Sequence, residues 1–443
     1  MSKPEFLTAS YVIRQSDPRW QELDRMSLLA KNVFNSATYL IRQAFFTDCE
    51  RGIEHDKRQR TWVRMLNFIH LKETLRRDYA SDYSAMPKRV TETCIQAVIS
   101  MWRGYDAAWF DWQQSPHKYV GEPSIPRYKK SGDVGRAQVL WNQEAISKRL
   151  YDKQGLIGLS GCEFAFLPGK HIYEQIRRIE NLSPDLDFNL RERMVGVSVL
   201  PRADHYLLTV TYRVSPIPYE QLDPSQVMGI DLGVNNLMAI TSNKAGFKPI
   251  LVNGRPLKSL NQYFNKRRAK LQSKLPEKQY SSQRLRQLHQ KRNRQIKDYL
   301  HRASKLVIQQ ALQAGIGTIV IGQNKNWKQH IKLGKRNNQS FLSIPHSQLI
   351  EMISYKAHLV GIGVICQEES YTSKCSFLDG EPIQKHEVYA GQRVKRGLFK
   401  ARTGKLINAD VNASYNIIKK AFPNAFADGI ADVLAVHPTL ITA

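Results

Sequence analysis

Cysteine is scarce in this chain, and acidic residues are outnumbered. The five cysteines, Cys49, Cys94, Cys162, Cys366 and Cys375, are scattered and odd in number. They give no disulfide framework and suit a reducing compartment. No apolar run approaches the roughly 20 residues that a membrane span needs. The opening Met-Ser-Lys-Pro-Glu-Phe lacks the apolar core of a secretion signal. A cytoplasmic protein with no membrane partner is therefore expected. Long internal repeats and low-complexity tracts are also missing.

Acids number 39 against 66 lysines and arginines, so the formal net charge is +27 and the pI about 9.8. A field of that sign draws polyanions and makes their binding salt-dependent. An anionic membrane would attract the same charge, but the excess is spread along the chain rather than gathered beside an apolar segment. Nucleic acid is the partner it points to. With 443 residues the chain has room for two or three domains, each with its own core.

Residues 5–14 read as one strand. From Trp20 to Trp112 the apolar positions recur at helical spacing, as in Leu28, Val33, Phe34, Ala37, Leu40 and Ile41, until Pro116 and Pro123 close the stretch. Strands return at 137–141, 162–167, 194–200 and 206–212. A helical module over 19–117 is thus inserted into a β module made of 1–18 and 118–225. The aromatic cluster Trp102, Tyr105, Trp109, Phe110 and Trp112 could stack on bases, but its spacing is largely helical and favours a packed core.

A third pattern starts at Val227. The buried strand 227–233 carries Asp231 and is followed by short strands at 237–241 and 249–252. A helical stretch over 260–313 is broken at Pro276. Strand 318–321, helix 345–359, strand 362–366 and a helix from about Asp410 complete it, leaving 424–443 as a tail. This β-β-β-α-β-α-β-α order is that of the RNase H superfamily, whose later strands run parallel with their C-terminal ends on one edge. The fold class expected is multidomain α+β.

Phosphodiester hydrolysis with two divalent ions needs carboxylates converging where the metals sit about 3.5–4 Å apart. Asp231 ends its strand between Gly229 and Gly233, which leave room for a close approach. Asp410 enters the first turn of a helix whose apolar face is Val411, Tyr415 and Ile418. Each has a plain alternative: Asp410 as a helix-capping acid, Asp231 as a turn residue. Their joint occurrence in this strand order favours the catalytic reading.

The motifs now carry a resemblance. Gly-Ile-Asp231-Leu-Gly-Val-Asn235-Asn-Leu resembles the first RuvC motif of the TnpB family, and Asn408-Ala-Asp410-Val-Asn-Ala-Ser-Tyr-Asn416-Ile its third. The segments Pro249–Tyr263 and Glu369–Gly380 are similar to TnpB-type proteins as well, so the likeness covers roughly 226–421. Upstream, Pro123-Ser-Ile-Pro-Arg127-Tyr128-Lys resembles the family's wedge domain. The resemblance implies an RNA-guided DNA endonuclease, related to Fanzors and type V CRISPR effectors, of the prokaryotic cytosol or nucleoid. It implies a β-barrel-like wedge (1–18 and 118–225), a helical recognition lobe (19–117) and a RuvC nuclease domain (226–423). It further implies two Mg²⁺ ions, for which Mn²⁺ can substitute, and a monomer bound to guide RNA and double-stranded target DNA.

Two departures from the family pattern matter. The strand ending near Ile321 should close on a catalytic glutamate, and Gly322 stands there instead. The family has variants in which that glutamate moves to the end of the neighbouring strand, where Glu368 and Glu369 are found. The offset from Thr372 favours Glu369, with Glu368 as the alternative, and plain solvated loop acids are the bland reading. Where many relatives carry paired Cys-x-x-Cys zinc ligands, 370–407 offers Cys375 alone, so zinc is not expected. Lys395, Arg396, Lys400, Arg402 and Lys405 give this insert a nucleic-acid-binding character instead.

Between Arg255 and Arg302 fifteen lysines and arginines face two acids, Glu277 and Asp298. Such runs are often solvated faces, yet Leu271, Leu275, Leu285, Leu288 and Leu300 give this one apolar contacts and leave a cationic side free for a duplex backbone. The candidate nucleic-acid contacts are Arg127, Tyr128, Arg255, Lys266, Arg267, Arg268, Lys270, Arg284, Lys291, Arg292, Trp327, Lys374 and Arg396. Metal and catalysis are assigned to Asp231, Glu369 and Asp410. Two other readings stay open: a nuclease-silent RNA-guided repressor, which Gly322 would suit, and a guide-independent RuvC-like nuclease.

Overall fold

A computed structural model describes residues 5–130, 135–169, 194–202, 204–214, 216, 218–323, 344–427 and 438–443. The chain divides into two compact units, Met1–Ser215 and Pro216–Ala443. The division falls ahead of the expected boundary at 225, because Leu222 packs on the core of the second unit and the Tyr219 N–H donates to the Val360 carbonyl. Among the described residues no helix is long and apolar enough to cross a membrane.

The first unit opens with β1 (Glu5–Ile13) and continues through α1 (Trp20–Glu50), α2 (Phe68–Asp78), α3 (Ala80–Ser84), α4 (Lys88–Gln114), β2 (Val139–Asn142), α5 (Lys148–Gln154), β3 (Ile157–Gly158), β4 (Ala165–Phe166), β5 (Met194–Pro201) and β6 (Tyr206–Val214). Four of its strands form an antiparallel sheet in the order β1-β6-β5-β2, and β3 pairs with β4. Period-2 alternation buries Tyr206, Leu208, Val210 and Tyr212 on one face of β6. Helix α1 buries a stripe at helical spacing, Leu23, Met26, Ala30, Val33, Ala37 and Ile41. The aromatic cluster is core where it is deepest. Trp102 and Tyr105 are buried and meet Trp62 and Phe45 edge-on or tilted, whereas Trp109, Phe110 and Trp112 are half-buried. The buried Asp48 at the end of α1 fixes that knot: its carboxylate accepts from the Thr61 hydroxyl at 2.7 Å and the Trp62 N–H at 2.8 Å. Burial works against its charge, but these bonds prevail and hold its carboxyl below the usual range.

The second unit runs β7 (Asp223–Leu232), β8 (Asn236–Ser242), β9 (Ile250–Asn253), α6 (Arg255–Gln272), α7 (Gln283–Gln313), β10 (Ile316–Gly322), α8 (His346–His358), β11 (Gly363–Gln367), β12 (Gln392–Lys395), β13 (Leu398–Lys400), β14 (Leu406–Asn408), α9 (Ala409–Ala421) and β15 (Thr439–Ile441). The expected break at Pro276 separates α6 from α7. The main sheet has the order β11-β10-β7-β8-β9-β15. Strands β7, β8 and β9 are antiparallel neighbours, and β10 is parallel to both β7 and β11. The segment expected as a tail supplies β15, which pairs parallel with β9.

Both faces of the sheet's centre are covered, so β7, β8 and β10 are apolar on both sides over most of their length. Met228, Ile230 and Leu232 of β7 join Ile319 and Ile321 of β10 in a core with Leu300, Val307, Leu349 and Ile353 of the helices α7 and α8. The alternate residues face α9: Val227 and Val320 pack on Ile417 and Ile418. That alternation sends Gly229 and Asp231 to the α9 side together with Val227. Gly229 is needed there, because a Cβ would lie 2.6 Å from both the Ser414 carbonyl oxygen and Ile418 Cγ1. Gly229→Ala therefore forces α9 away from β7 and is expected to destabilise the protein by about 1–3 kcal/mol, the usual range for overpacking. Thermal unfolding checks it, and a wild-type midpoint for the variant would contradict this account of the helix–sheet contact.

Candidate active site

Asp231 is the penultimate residue of β7, pairs with Ala239 of β8 and projects to the side of the sheet that α9 covers. It is a strand residue, which disposes of the turn reading. Asp410 is the second residue of α9, but it does not cap the helix. Asn408 does, accepting from the Asp410 and Val411 N–H groups at 2.9 and 3.2 Å. The Asp410 carboxylate is not spent on the cap and is held from two sides. Asn236 donates from Nδ2 to Oδ2 at 2.8 Å, and Arg393 of β12 stands 3.7 Å from Oδ1.

Gly322 closes β10 on the same face. Ile321 pairs with Ile230, so Gly322 comes level with Asp231, while on its other side it pairs with Gln367 of β11. The space a side chain at 322 would need is already filled. A Cβ there would lie 2.9 Å from Glu369 Oε2 and 2.6 Å from Ile417 Cδ1. Glu369 thus turns inward from the loop after β11 and brings its carboxylate to the end of the adjacent strand. Glu368 turns outward. It is exposed, lies 2.6 Å from Lys420 Nζ, and accepts from the Ser370 N–H at 2.8 Å and from the Ser370 hydroxyl.

The electrostatics separate these acids. Burial, then the charges of Asp410 and Glu369, push the Asp231 carboxyl well above its ordinary range, with Arg393 opposing. Part of the Asp231 surface is open to solvent, yet the protein packed around its carboxylate is dense enough to desolvate it. Glu369 is pushed up to about 7, by burial first and by Glu368 second, with Lys420 opposing. For Glu368 burial is outweighed by hydrogen bonds from Lys420 and Ser370, and its carboxyl lies below the usual range. Among the described residues no three His, Cys, Asp or Glu side chains close around a single point as a finished cation cage. Asp231, Glu369 and Asp410 are instead neighbouring hard-oxygen donors with unfavourable mutual charge. A divalent cation such as Mg²⁺ or Mn²⁺ fits that donor set and would relieve its repulsion.

The 370–407 insert is held by hydrogen bonds. The buried Cys375 thiol donates to the Gln384 carbonyl at 3.6 Å, and the Glu381 carboxylate accepts from the Ser376 and Ala390 N–H groups at 2.7 and 2.8 Å. From α9, the Asn412 amide donates to the Cys375 carbonyl and accepts from the Phe377 N–H. Strands β12, β13 and β14 form a small antiparallel sheet that carries Arg393 to Asp410.

The candidate nucleic-acid contacts divide. Arg127 and Tyr128 in the first unit are exposed, with the Arg42 guanidinium 5.1 Å from the Tyr128 ring. Arg255, Lys266, Arg267, Lys270, Arg284, Lys291, Lys374 and Arg396 in the second unit are exposed as well. Arg268 and Arg292 are half-buried over the Phe264 ring, and Arg292 also donates to Asn261 at 2.7 Å. These two serve packing between α6 and α7 at least as much as any ligand. Trp327 lies outside the described residues. Sequence reasoning missed Arg393 and Asn236. The first sat in an insert whose bases were read as nucleic-acid contacts, without Arg393 among them. The second lay inside the Asp231 motif and was signalled by nothing except its position there.

The comparisons with known proteins agree with the motifs. Residues 209–328 match the OrfB IS605 family, described as a probable transposase, and residues 346–417 match the Cas12f1-like TNB domain. A TnpB-like protein of Methanocaldococcus jannaschii is 28% identical over 228 residues, covering 50% of this chain and 77% of its own length. The CRISPR-associated endodeoxyribonuclease Cas12f2 of a Micrarchaeota archaeon is 27% identical over 210 residues, 44% of this chain but 37% of that longer protein. Among solved structures, Cas12f1 in its complex with sgRNA and target DNA aligns over 90% of this chain and 84% of its own. The TM-score is 0.52 at 16% identity, a likeness of fold. The TnpB resemblance read from the Asp231 and Asp410 motifs is borne out, and the chain is related to Cas12f endonucleases.

The raised Glu369 carboxyl makes a prediction for the metal-free protein. An acid that ionises later in the folded state stabilises the fold below its ordinary pKa of 4.5 and loses that contribution as pH rises through about 7. Thermal unfolding midpoints should therefore fall across that window by more in the wild type than in Glu369→Gln. Parallel curves for the two proteins would refute the burial of this carboxylate.

Proposed function

We propose that this relative of the TnpB and Cas12f proteins is an RNA-guided DNA endonuclease that cuts by metal-dependent phosphodiester hydrolysis in a RuvC-type, RNase H-like domain. The observation that carries the reading is the Glu369 carboxylate, which fills the side-chain place at Gly322, at the end of the strand beside Asp231. An enzyme whose second acid had simply decayed would have no reason to refill that place from the next strand. The order β7-β8-β9-α6-α7-β10-α8-β11-α9, with β10 parallel to both its neighbours, supports the RNase H assignment.

In this reading Asp231, Glu369 and Asp410 would hold two Mg²⁺ ions, which supply an activated water and charge stabilisation at the leaving oxygen. Asn236 fixes one oxygen of Asp410 and leaves the other facing Arg393. Arg393 offsets part of the carboxylate charge and presents a cation where a phosphate has to approach. The exposed bases of α6 and α7 suit the backbone of a guide–target duplex, read by shape rather than sequence. The first unit supports assignment as wedge plus helical recognition lobe, with Arg127 and Tyr128 on its nucleic-acid side. The working form is a monomeric ribonucleoprotein in the prokaryotic cytosol.

Asp231→Ala and Asp410→Ala should each lower cleavage of a matched target by at least about 10³-fold, the scale expected when charge stabilisation at the reacting centre is lost. Guide-RNA affinity should not change, because neither residue lies on the basic surface. The check is a Mg²⁺ cleavage assay beside an RNA-binding titration, using the RNA that copurifies with protein expressed with its native flanking DNA. Cutting retained by either variant would refute the site. Heterogeneous RNA in the purified protein would refute guidance and favour a guide-independent nuclease.

A further inference from the structure

Glu369 sits on a loop, two residues beyond the end of β11, where no strand pairing fixes its backbone. The loop is not relaxed either: Tyr371 has a φ of 69°, a left-handed conformation unfavourable for a bulky side chain. Among the described residues, side chains of α9 reach this loop from outside. Lys420, in the last turn of α9, donates to the Glu368 carboxylate at 2.6 Å and to the Ser370 carbonyl at 3.1 Å, so it reaches the residue on each side of Glu369. Glu368 closes the ring by accepting from the Ser370 N–H. One turn earlier, the Asn416 amide donates to the Thr372 and Cys375 carbonyls at 2.9 and 2.8 Å, and the Thr372 hydroxyl donates to the carbonyl of Glu369 itself at 2.8 Å. Residues 412, 416 and 420 recur at four-residue spacing and form one stripe of α9.

We propose that Lys420, paired with Glu368, is a positioning residue that holds the loop so that Glu369 projects toward Gly322. The inference rests on reading Glu369 as the second catalytic carboxylate, and it gives the adjacent acid a separate task. Glu368 is the counter-ion of the clamp and not a ligand. The pair is partly exposed, with 21% and 50% of the two side-chain surfaces open. Its net contribution to global stability is therefore small, and its effect lies in geometry. A carboxylate displaced by about an ångström from its working place costs on the order of a hundredfold in rate.

The test compares Lys420→Met, Lys420→Arg, Glu368→Gln, Glu369→Gln and the double variant Glu368→Gln/Lys420→Met. The readouts are cleavage turnover, the Mg²⁺ half-saturation point, Mn²⁺ binding to the protein by electron paramagnetic resonance, guide-RNA affinity and the unfolding midpoint. Lys420→Met is expected to cut roughly ten- to a hundredfold more slowly and to bind Mn²⁺ more weakly, with RNA affinity and the unfolding midpoint unchanged. Lys420→Arg, which keeps the charge and donors, should recover most of the loss. The double variant should be no slower than Lys420→Met alone, because both changes break one contact. Wild-type turnover and Mn²⁺ affinity in Lys420→Met, beside an inactive Glu369→Gln, would overturn the clamp and leave the catalytic reading standing. Normal cutting by Glu369→Gln would overturn that reading and the clamp with it. A Lys420→Met loss that tracks a lowered unfolding midpoint and is not recovered by Lys420→Arg would mark a merely structural lysine.

Discussion

Everything at the candidate site depends on how closely α9 lies on the sheet. At Gly229 no side chain separates helix from strand, and the Ser414 hydroxyl donates to the Gly229 carbonyl at 2.9 Å while sharing a second bond with Thr241. Ile417 and Ile418 then fill the groove above Val227 and Val320. That contact fixes the helix relative to β7, which carries Asp231. The start of the helix delivers Asp410, and its last two turns grip the loop that delivers Glu369. One helix thus sets the mutual placement of three carboxylates that come from three separate stretches of chain.

The charge balance of the site is the reverse of the chain's. A protein with a net charge of +27 gathers three acids at one place, two of them desolvated, and opposes them there with Arg393 and, at one remove, Lys420. Such clustering is costly without a cation: burial raises both Asp231 and Glu369, helped at Asp231 by the charges of Asp410 and Glu369 and at Glu369 by Glu368. The arrangement makes sense as a site completed by divalent ions and by a phosphate. In the proposed reading the excess of base along the chain suits a different purpose, drawing and holding a long polyanion.

Much of this was legible in the sequence because it rests on local periodicity. The apolar run along 227–232 marked a buried strand, and the Asp410 motif announced a helix start. Glu369 was reachable by its offset from Thr372, although the fit of its carboxylate into the place at Gly322 required three dimensions. The contacts that pair distant segments were not legible. Arg393, Asn236 and Lys420 act across long stretches of chain, and nothing in their immediate neighbours marks them. Strand β15 is three residues long, too short for any period, and joins the sheet only by pairing with β9. Charge counting also failed to separate Arg268 and Arg292, packed over Phe264, from their solvated neighbours.

In the proposed site the second carboxylate has moved from the end of β10 to the loop after β11 and occupies the same place. The direct measurement is guided DNA cleavage by a carboxylate exchange, Gly322→Glu combined with Glu369→Ala, set beside Glu369→Ala alone. The exchange vacates the space that Glu369 Oε2 fills and leaves only the movable end of Ile417 to give way. The single variant is expected to be inactive and the exchange to restore measurable cutting. A folded, RNA-bound exchange variant as inactive as Glu369→Ala, or a Glu369→Ala variant that cuts, would contradict it.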